Sequence, residues 1–442
     1  MQDRERKPNV DIWNQILEQE PYLKELQESF HRHPELSGEE DWLCEQVCAF
    51  LRAEGIPCRN VPRGGVLGFL QGRSGGKTVL LRADLDALPL TESPLNGKGP
   101  KRCVSEIPGA CHACGHDAHT AMLLIAARIL ARNRDAFPGQ IVFMFERGEE
   151  FTTNCTRLFR ELETLGIPVE SAFGVHIYAG LDSGKVAVND GPVMASNLCF
   201  NVEITGRGGH GSRPDQARSP IDCFVAVHQA LSQLRLGRIT PYHPMTWSIG
   251  EVKSGSQDNI IPETLDFSGT ARFFDVEDGN LFRDRLTEIL DSVTRLHGCT
   301  YRYRLLRAPC LPVINRPECA ELEREALGRM IGAEALCRCD PWMSSEPFSR
   351  SLAMWPGVFA LVGTRNEALG TGAPHHSAEF EVDPAVLKQG TAASVSYALG
   401  FLNSALALPK PWKSFADLYE SMGLPEDQIG YLRGRRADYD SI

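Results

Sequence analysis

The sequence predicts an α/β fold: a mixed, mostly parallel sheet with helices on both faces, interrupted by an inserted ferredoxin-like α+β unit. Three observations predict it. Continuous apolar runs alternate with amphipathic helical patterns over the first 195 residues, as strands buried on both faces require. From residue 196 to 308 the texture changes to alternating strands in the order β-α-β-β-α-β. Continuous apolar sequence then resumes near Val358. The expected organisation is therefore a discontinuous core domain, 1–195 and 309–442, with an insert at 196–308 and a C-terminal extension from about residue 410.

Along the chain, Trp13 to Phe30 reads as an amphipathic helix, followed by the turn His33-Pro34-Glu35-Leu36-Ser37 and a second helix over Asp41–Ala53. Lys77 to Arg82 is a short apolar strand that runs into Ala83-Asp84-Leu85-Asp86-Ala87-Leu88-Pro89. Thr120 to Ala131 has a broad apolar face of Met122, Leu123, Ile125, Ala126, Ile129 and Leu130 at helical spacing. Ile141–Phe145 and Ala172–Val175 read as buried strands, the second ending at His176. Ligands of parallel sheets collect beyond the carboxyl ends of the strands. Asp84, Asp86, Glu149, Glu150 and His176 are all expected at such ends.

In the insert, Leu198–Ile204 alternates like a half-exposed strand. A helix opens at Ser219-Pro220, with serine as cap and proline in the first turn, and runs through Leu234. Strands over 246–253 and 264–274, a helix over 280–296 and a strand over 301–306 complete it. The segment after Pro409 is charged and aromatic, with two short helical patches and no interpretable motif.

Acidic residues outnumber basic ones, giving a formal net charge of -11, and no basic stripe carries interleaved aromatics; a nucleic-acid partner is not expected. No apolar run reaches the roughly 18 residues of a membrane span. The first residues hold no apolar signal core, so a cytoplasmic protein is expected. The 14 cysteines are then read as reduced thiols, most of them small apolar fillers.

The densest chemistry lies in Ala113-Cys114-Gly115-His116-Asp117-Ala118-His119, placed in a loop just before a helix. A thiol, two imidazoles and a carboxylate within seven residues suit a metal site. Cys114 and His116 could instead form a structural zinc corner, but no compact second Cys/His pair follows. Cys111-His112-Ala113-Cys114 has the spacing of a redox dithiol, in a chain far larger than such units. A cysteine nucleophile with a histidine base is the third alternative.

Glu149-Glu150 follows an apolar strand, where adjacent carboxylates need a shared cation or proton. One would bind metal while the other moves protons; the bland reading is a solvated charge pair. His176 alone reads as an ordinary core histidine, whereas His375-His376 in a loop is a stronger ligand signal. Gly206-Arg207-Gly208-Gly209-His210-Gly211 matches the dinucleotide pattern formally. It presents no helix N-terminus, so the glycines are read as a turn displaying His210.

Read in order, these residues, with Arg82–Pro89, Gly174-Val175-His176, Asn259-Ile260-Ile261-Pro262, Gly269-Thr270-Ala271-Arg272 and His376-Ser377, resemble one family. It is that of the dinuclear metal-dependent amidohydrolases of the aminoacylase and carboxypeptidase type. The similar branch contains N-acyl-amino-acid amidohydrolases, hippurate hydrolases and plant auxin-conjugate hydrolases. The likeness extends from His31 to about Gly390.

The resemblance implies that Cys114 bridges two divalent metals, with His116 and Glu150 completing one site and His176 and His376 the other. Cysteine and imidazole favour zinc; the resemblance also permits manganese, cobalt or nickel. Glu149 would take a proton from a metal-bridging water as it attacks the amide carbon, then pass it to the departing nitrogen. His210 would steady the oxyanion, in its own or the partner subunit's site. Asn259 and Arg272 would hold the substrate's carboxylate, and Asp86 would orient a ligand from behind. The expected substrate is a small N-acyl amino acid or peptide-like conjugate, and the expected assembly a homodimer through the insert.

The sequence departs from the family pattern at Glu146-Arg147-Gly148 (usually Gln-Pro-Ala), in Phe151–Cys155, at Asn197 (usually Asp), at Pro347 within Glu346-Pro347-Phe348, and at Ser212 after the lid histidine. None removes an expected ligand or the base. A catalytically silent metal-binding homologue and a Cys114-nucleophile hydrolase are the alternative functions.

Overall fold

The computed structural model describes residues 11–151, 155–307, 310–423 and 433. The first helical stretch is two helices, α1 (Ile12–Glu18) and α2 (Glu20–Arg32), rather than one. The break at Gln19 precedes Pro21, which has no N–H to continue the ladder. Asp11 caps α1 by accepting from the Asn14 N–H at 3.1 Å. The helix α3 (Asp41–Ala53) follows as expected.

Next come β1 (Cys58–Val61), β2 (Gly65–Gln71) and β3 (Arg73–Asp84), then α4 (His116–Arg132), β4 (Pro138–Glu146), α5 (Cys155–Thr164) and β5 (Ser171–Asp182). Two short strands, β6 (Val186–Ala187) and β7 (Gly191–Met194), lead to β8 (Ser196–Thr205), β9 (Gly209–His210) and α6 (Pro220–Gly237). The chain continues with β10 (Met245–Ser254), β11 (Ile260–Ile261), β12 (Thr264–Phe273), α7 (Val276–His297) and β13 (Thr300–Leu306). It finishes with β14 (Val313–Asn315), α8 (Pro317–Ile331), β15 (Leu336–Cys337), α9 (Ser349–Met354), β16 (Gly357–Arg365), α10 (Leu387–Asn403) and α11 (Phe415–Ser421).

The large sheet runs β1-β2-β4-β3-β5-β16-β6-β15. Its centre, β4-β3-β5-β16, is parallel, and β1, β2 and β6 are antiparallel to their neighbours toward the centre. One face is covered by α4, α10 and the N-terminal helices, through Met122, Ile125, Val395 and Tyr397 among others. The other face packs against α5, α9 and α11 through Leu158, Phe159, Trp355 and Phe415. Burial on both faces explains why these strands are apolar without alternation.

The second sheet is antiparallel, ordered β10-β12-β8-β13, with α6 and α7 on one side. Its core of Phe200, Val202, Phe267, Val227, Phe282 and Leu286 comes from alternate strand positions and one stripe of each helix. The connectivity is that of the expected ferredoxin-like unit.

Two expectations need correction. His176 does not end its strand: β5 continues to Asp182, so the imidazole projects from the middle of a sheet strand. The Cys114 cluster is not all loop, because α4 begins at His116 and carries His116, Asp117 and His119 in its first turns. Gly115 precedes it with φ 89°, left-handed backbone that favours glycine, and a Cβ there would lie 3.3 Å from Ile177 Cβ. One of the two helical patches expected after Pro409 is present as α11. α11 docks on the core with Phe415, Leu418 and Tyr419 buried; the second expected helical patch lies outside the described residues.

Candidate metal centre and active site

Strand β3 ends at Asp84 and the segment just after it delivers Asp86, the turn before α4 delivers Cys114, α4 delivers His116, and β5 delivers His176. Cys114 Sγ lies 3.6 Å from His176 Nε2. The other nitrogen of that ring, Nδ1, donates to the Ile177 carbonyl at 2.6 Å. His116 Nδ1 likewise donates to Asp86 Oδ1 at 3.1 Å. Both rings are thereby held with Nδ1 protonated and the Nε2 lone pair turned inward, the tautomer a metal ligand needs. His116 Nε2 is fully buried and has no hydrogen-bond partner among the described residues. An orphaned lone pair of this kind is costly unless something electrophilic meets it. Cys114, His116 and His176 offer donor atoms within 4.8 Å of one another.

A second triple shares the thiol: Cys114, Glu150 and His376 also fall within 4.8 Å. His376 Nε2 stands 3.0 Å from Glu150 Oε1. The His376 backbone adopts φ 61°, unusual for a side-chain-bearing residue, and its N–H donates to the Ala113 carbonyl at 2.9 Å. Its neighbour His375 faces elsewhere, with Nε2 accepting from the Ala179 N–H at 3.1 Å. A further triple of His116, Glu149 and Glu150 links these two triples, so His116 stands within reach of Glu150 as well as of His176, and the donors form one connected cluster around Cys114.

Asp84, His116 and His119 also cluster, but protein partners engage this triple. His119 Nδ1 donates to Asp84 Oδ1 at 2.6 Å while its Nε2 accepts from the Ile177 N–H at 2.8 Å. Arg82 takes the other oxygen of Asp84 at 2.7 Å. Asp86, by contrast, stands behind His116 and also accepts from Ser37 Oγ at 2.6 Å and the Glu150 N–H at 3.0 Å. Burial would raise the Asp86 carboxyl, but the hydrogen bonds from His116, Ser37 and Glu150 hold it below its ordinary value.

Electrostatics separate the remaining roles. Burial drives the Cys114 thiol up to about 12, against the pull of His116. Burial, with the neighbouring histidines, drives His176 well down. A buried, protonated thiol is a poor nucleophile, whereas a cation would deprotonate it outright. Glu149 is buried and pushed well above the usual carboxylate range, by burial first and then by Glu346 and Glu150. Glu346 itself rises to about 7 through burial, partly offset by Arg82.

Two groups of residues escaped the sequence reading. Arg82 is fully buried and binds Asp84, Glu146 (2.9 Å) and Glu346 (3.0 Å) at once. An arginine closing the apolar run Val79-Leu80-Leu81 was the available signal, since a buried guanidinium requires carboxylates. The second group is an aromatic wall beside His176. Trp342 lies 5.4 Å from the His176 ring, 4.9 Å from Tyr178 and 4.8 Å from His375, and all three companions of His176 are partly exposed. Nothing in the sequence spacing joins residues from β5 and two distant loops.

The groups expected from the insert divide. Arg272, on β12, reaches the core domain and donates to Ser345 Oγ at 3.1 Å; its cross-strand partner Asn197 donates to the same atom at 3.0 Å. Ser345 precedes Glu346, so Arg272 borders the site. His210 and Asn259 sit together on the small β9–β11 ladder, where the Gly211 N–H donates to the Asn259 carbonyl at 2.8 Å. Both are exposed and touch none of the Cys114 group.

The model of peptidase family M20/M25/M40 matches residues 80–399. The chain belongs to this family. It is 33% identical to thermostable carboxypeptidase 2 of Saccharolobus solfataricus over 88% of this chain and 98% of the relative. It is 31% identical to the N-acetyl-L-cysteine deacetylase of Bacillus subtilis, over 84% of this chain and 86% of that one. Among solved structures, a Bacillus subtilis dinuclear metal binding peptidase of the M20 family superposes with a TM-score of 0.73 at 25% identity, covering 87% of this chain and 98% of that one. The protein is accordingly a hydrolase of the M20 amidohydrolase and peptidase type, in a family that binds two metals. No helix among the described residues is long and apolar enough to cross a membrane.

Proposed function

We propose that this protein hydrolyses the amide bond of small N-acyl-amino-acid or peptide-like conjugates, with two divalent cations held by Cys114, His116, His176, Glu150 and His376. The observation that carries the reading is the pair of donor triples sharing Cys114, with the orphaned His116 Nε2 4.0 Å from the Glu149 carboxylate. The thiolate and imidazole donors suit zinc, with manganese the next fit and cobalt or nickel as substitutes. When bound, such cations polarise the scissile carbonyl and ease deprotonation of water.

Glu149 is the base. It accepts a proton from the attacking water and hands it to the departing nitrogen; burial beside Glu346 and Glu150 raises its hold on that proton, and cations bound next to it would offset the rise. Asp86 holds His116 in its ligating tautomer. Arg272 offers a guanidinium fork to the substrate's carboxylate, with Asn259 as a further donor and His210 steadying the oxyanion. The last two are exposed on the insert and remote from the Cys114 group, so they serve after the insert closes or in the partner's site. The reading has residues 196–308 as lid and dimerisation domain of a cytoplasmic homodimer. Exposed Ile221 and Val225 on α6 support an interface there.

Glu149→Gln tests the base. The variant retains two metals per chain by elemental analysis and loses at least ~10³-fold in turnover of acyl-amino acids, the scale expected for removal of such a group. Unchanged turnover removes Glu149 from this role. Silence of the metal-loaded wild type across a broad acyl-amino-acid panel favours a ligand-binding homologue instead.

A further inference from the structure

We propose that the C-terminal helix α11, which lies beyond the region matched by the family model, braces the catalytic carboxylates, and that Tyr419 is its positioning residue. The inference rests on Glu149 and Glu150 acting as described above, with Glu346 as the carboxylate that faces Glu149.

Helices follow both groups of carboxylates in the chain. α5 begins at Cys155, shortly after Glu150, and α9 begins at Ser349, just after Glu346. The N-terminal turns of both helices meet at one buried phenol. Tyr419 Oη lies 2.9 Å from Thr156 Oγ1 on α5. It also accepts from Arg350 Nη1 on α9 at 3.3 Å, and the same nitrogen donates to Cys155 Sγ at 3.1 Å. Tyr419 is 0% exposed, so these bonds are shielded from water and fixed in direction.

The rest of α11 spans the same two helices. The Phe415 ring stacks on Phe159 of α5 at 3.7 Å and meets Trp355, just past α9, edge-on at 5.1 Å. The Phe415 N–H donates to Glu163 Oε1 at the far end of α5 at 2.8 Å. On the α9 side the brace reaches the site through one turn. The Arg350 N–H donates to the Pro347 carbonyl at 3.0 Å and the Ser349 N–H to the Glu346 carbonyl at 3.2 Å. Glu346 in turn is held by the Phe348 N–H at 2.9 Å and by Arg82 at 3.0 Å, beside Glu149. Fixing Arg350 therefore fixes the turn that sets Glu346 against Glu149. Fixing Thr156 fixes the helix that follows Glu150. A helix present only to cover apolar surface would not need to place a buried phenol hydroxyl between these two N-termini.

Tyr419→Phe in the full chain keeps the ring and removes only that hydroxyl. The expected result is a turnover number about tenfold lower with KM unchanged, and one of two zinc-binding steps weakened about tenfold in calorimetric titration of the metal-free protein. Thr156→Val, which removes only the α5 half of the brace, should reproduce part of both losses and Thr156→Ser neither. The Tyr419→Phe/Thr156→Val pair should be no worse than Tyr419→Phe alone, because loss of the phenol hydroxyl already removes the Thr156 bond. Variants that lower Tm but leave zinc affinity and turnover per folded chain unchanged reduce α11 to packing and overturn the proposal, as do losses that simply add. If the wild type hydrolyses no acyl-amino acid, the proposed function fails while the zinc titration still decides the brace.

Discussion

Asp86→Asn offers the sharpest examination of the metal centre, because it changes one atom type and leaves the shape of the side chain alone. In the native arrangement Asp86 Oδ2 accepts from Ser37 Oγ and the Glu150 N–H, while Oδ1 faces His116 Nδ1–H at 3.1 Å. Asparagine has one oxygen, and the two donors on the Oδ2 side claim it. Its NH₂ group is then left pointing at the His116 N–H, donor against donor. His116 can relieve the clash only by moving its proton to Nε2, the atom otherwise free to bind a cation. The loss is one charge-assisted hydrogen bond, on the order of 1.5–3 kcal/mol. At ~1.4 kcal/mol per decade, that is roughly 10- to 150-fold in affinity. Calorimetric titration of the metal-free variant with zinc should show the weakening in one step, that of the Cys114–His116–His176 triple, with the Cys114–Glu150–His376 step largely kept. Two unchanged steps, or equal losses in both, would refute the assignment of His116 Nε2 as a ligand fixed from behind by Asp86.

His31 donates to Asp117 at 2.8 Å and to Glu92 at 3.0 Å, and these carboxylates overcome the burial penalty to raise it from 6.5 to about 9. Its contribution is therefore complete below about pH 6.5 and is lost as pH rises through 9, on the order of 3 kcal/mol in all. Urea unfolding of the metal-free chain from pH 6 to 10 should show that decline, and His31→Gln should flatten it; an equal decline in the variant dismisses the pair. Cys114→Ser should abolish tight retention of metal by elemental analysis while the metal-free Tm moves little, since one buried sulfur is exchanged for an oxygen with the side chain's shape kept; a variant that loses its fold before its metal makes the thiol structural. Trp342→Ala should lower kcat/KM for aromatic acyl groups about three- to tenfold more than for acetyl, the scale of one lost ring–ring contact. Equal losses on both substrates would take the Trp342–Tyr178 wall out of substrate selection.

The reach of the sequence differs between parts of the molecule for identifiable reasons. Leu198–Ile204 and Thr264–Phe273 were readable as strands because each has one wet face, which forces alternation. The central strands were readable as apolar runs but not in their ends: burial on both faces removes the periodic signal that marks a terminus. β5 thus ran on past His176 to Asp182. The break at Gln19 was legible in Pro21 but overridden by the amphipathic pattern on either side. The donors Cys114, His116, Glu150 and His376 were visible because metal-binding residue types cluster locally. Their pairing was not, since it depends on which way each ring points and on what holds its second nitrogen.

Residue chemistry alone therefore determined the fold class, the inserted unit, the family resemblance and the proposed donor set around Cys114, because periodicity and local motifs survive in one dimension. Tertiary structure decided what those donors could do. It placed His116 and His176 together beneath the thiol, and gave the pair Asp84–His119 to Arg82 and the Ile177 amide. It also brought α11 from the chain's end against the helices behind Glu150 and Glu346. Hydrogen-bond direction and contact between remote segments exist only once the chain has closed, and the Cys114 centre depends on both.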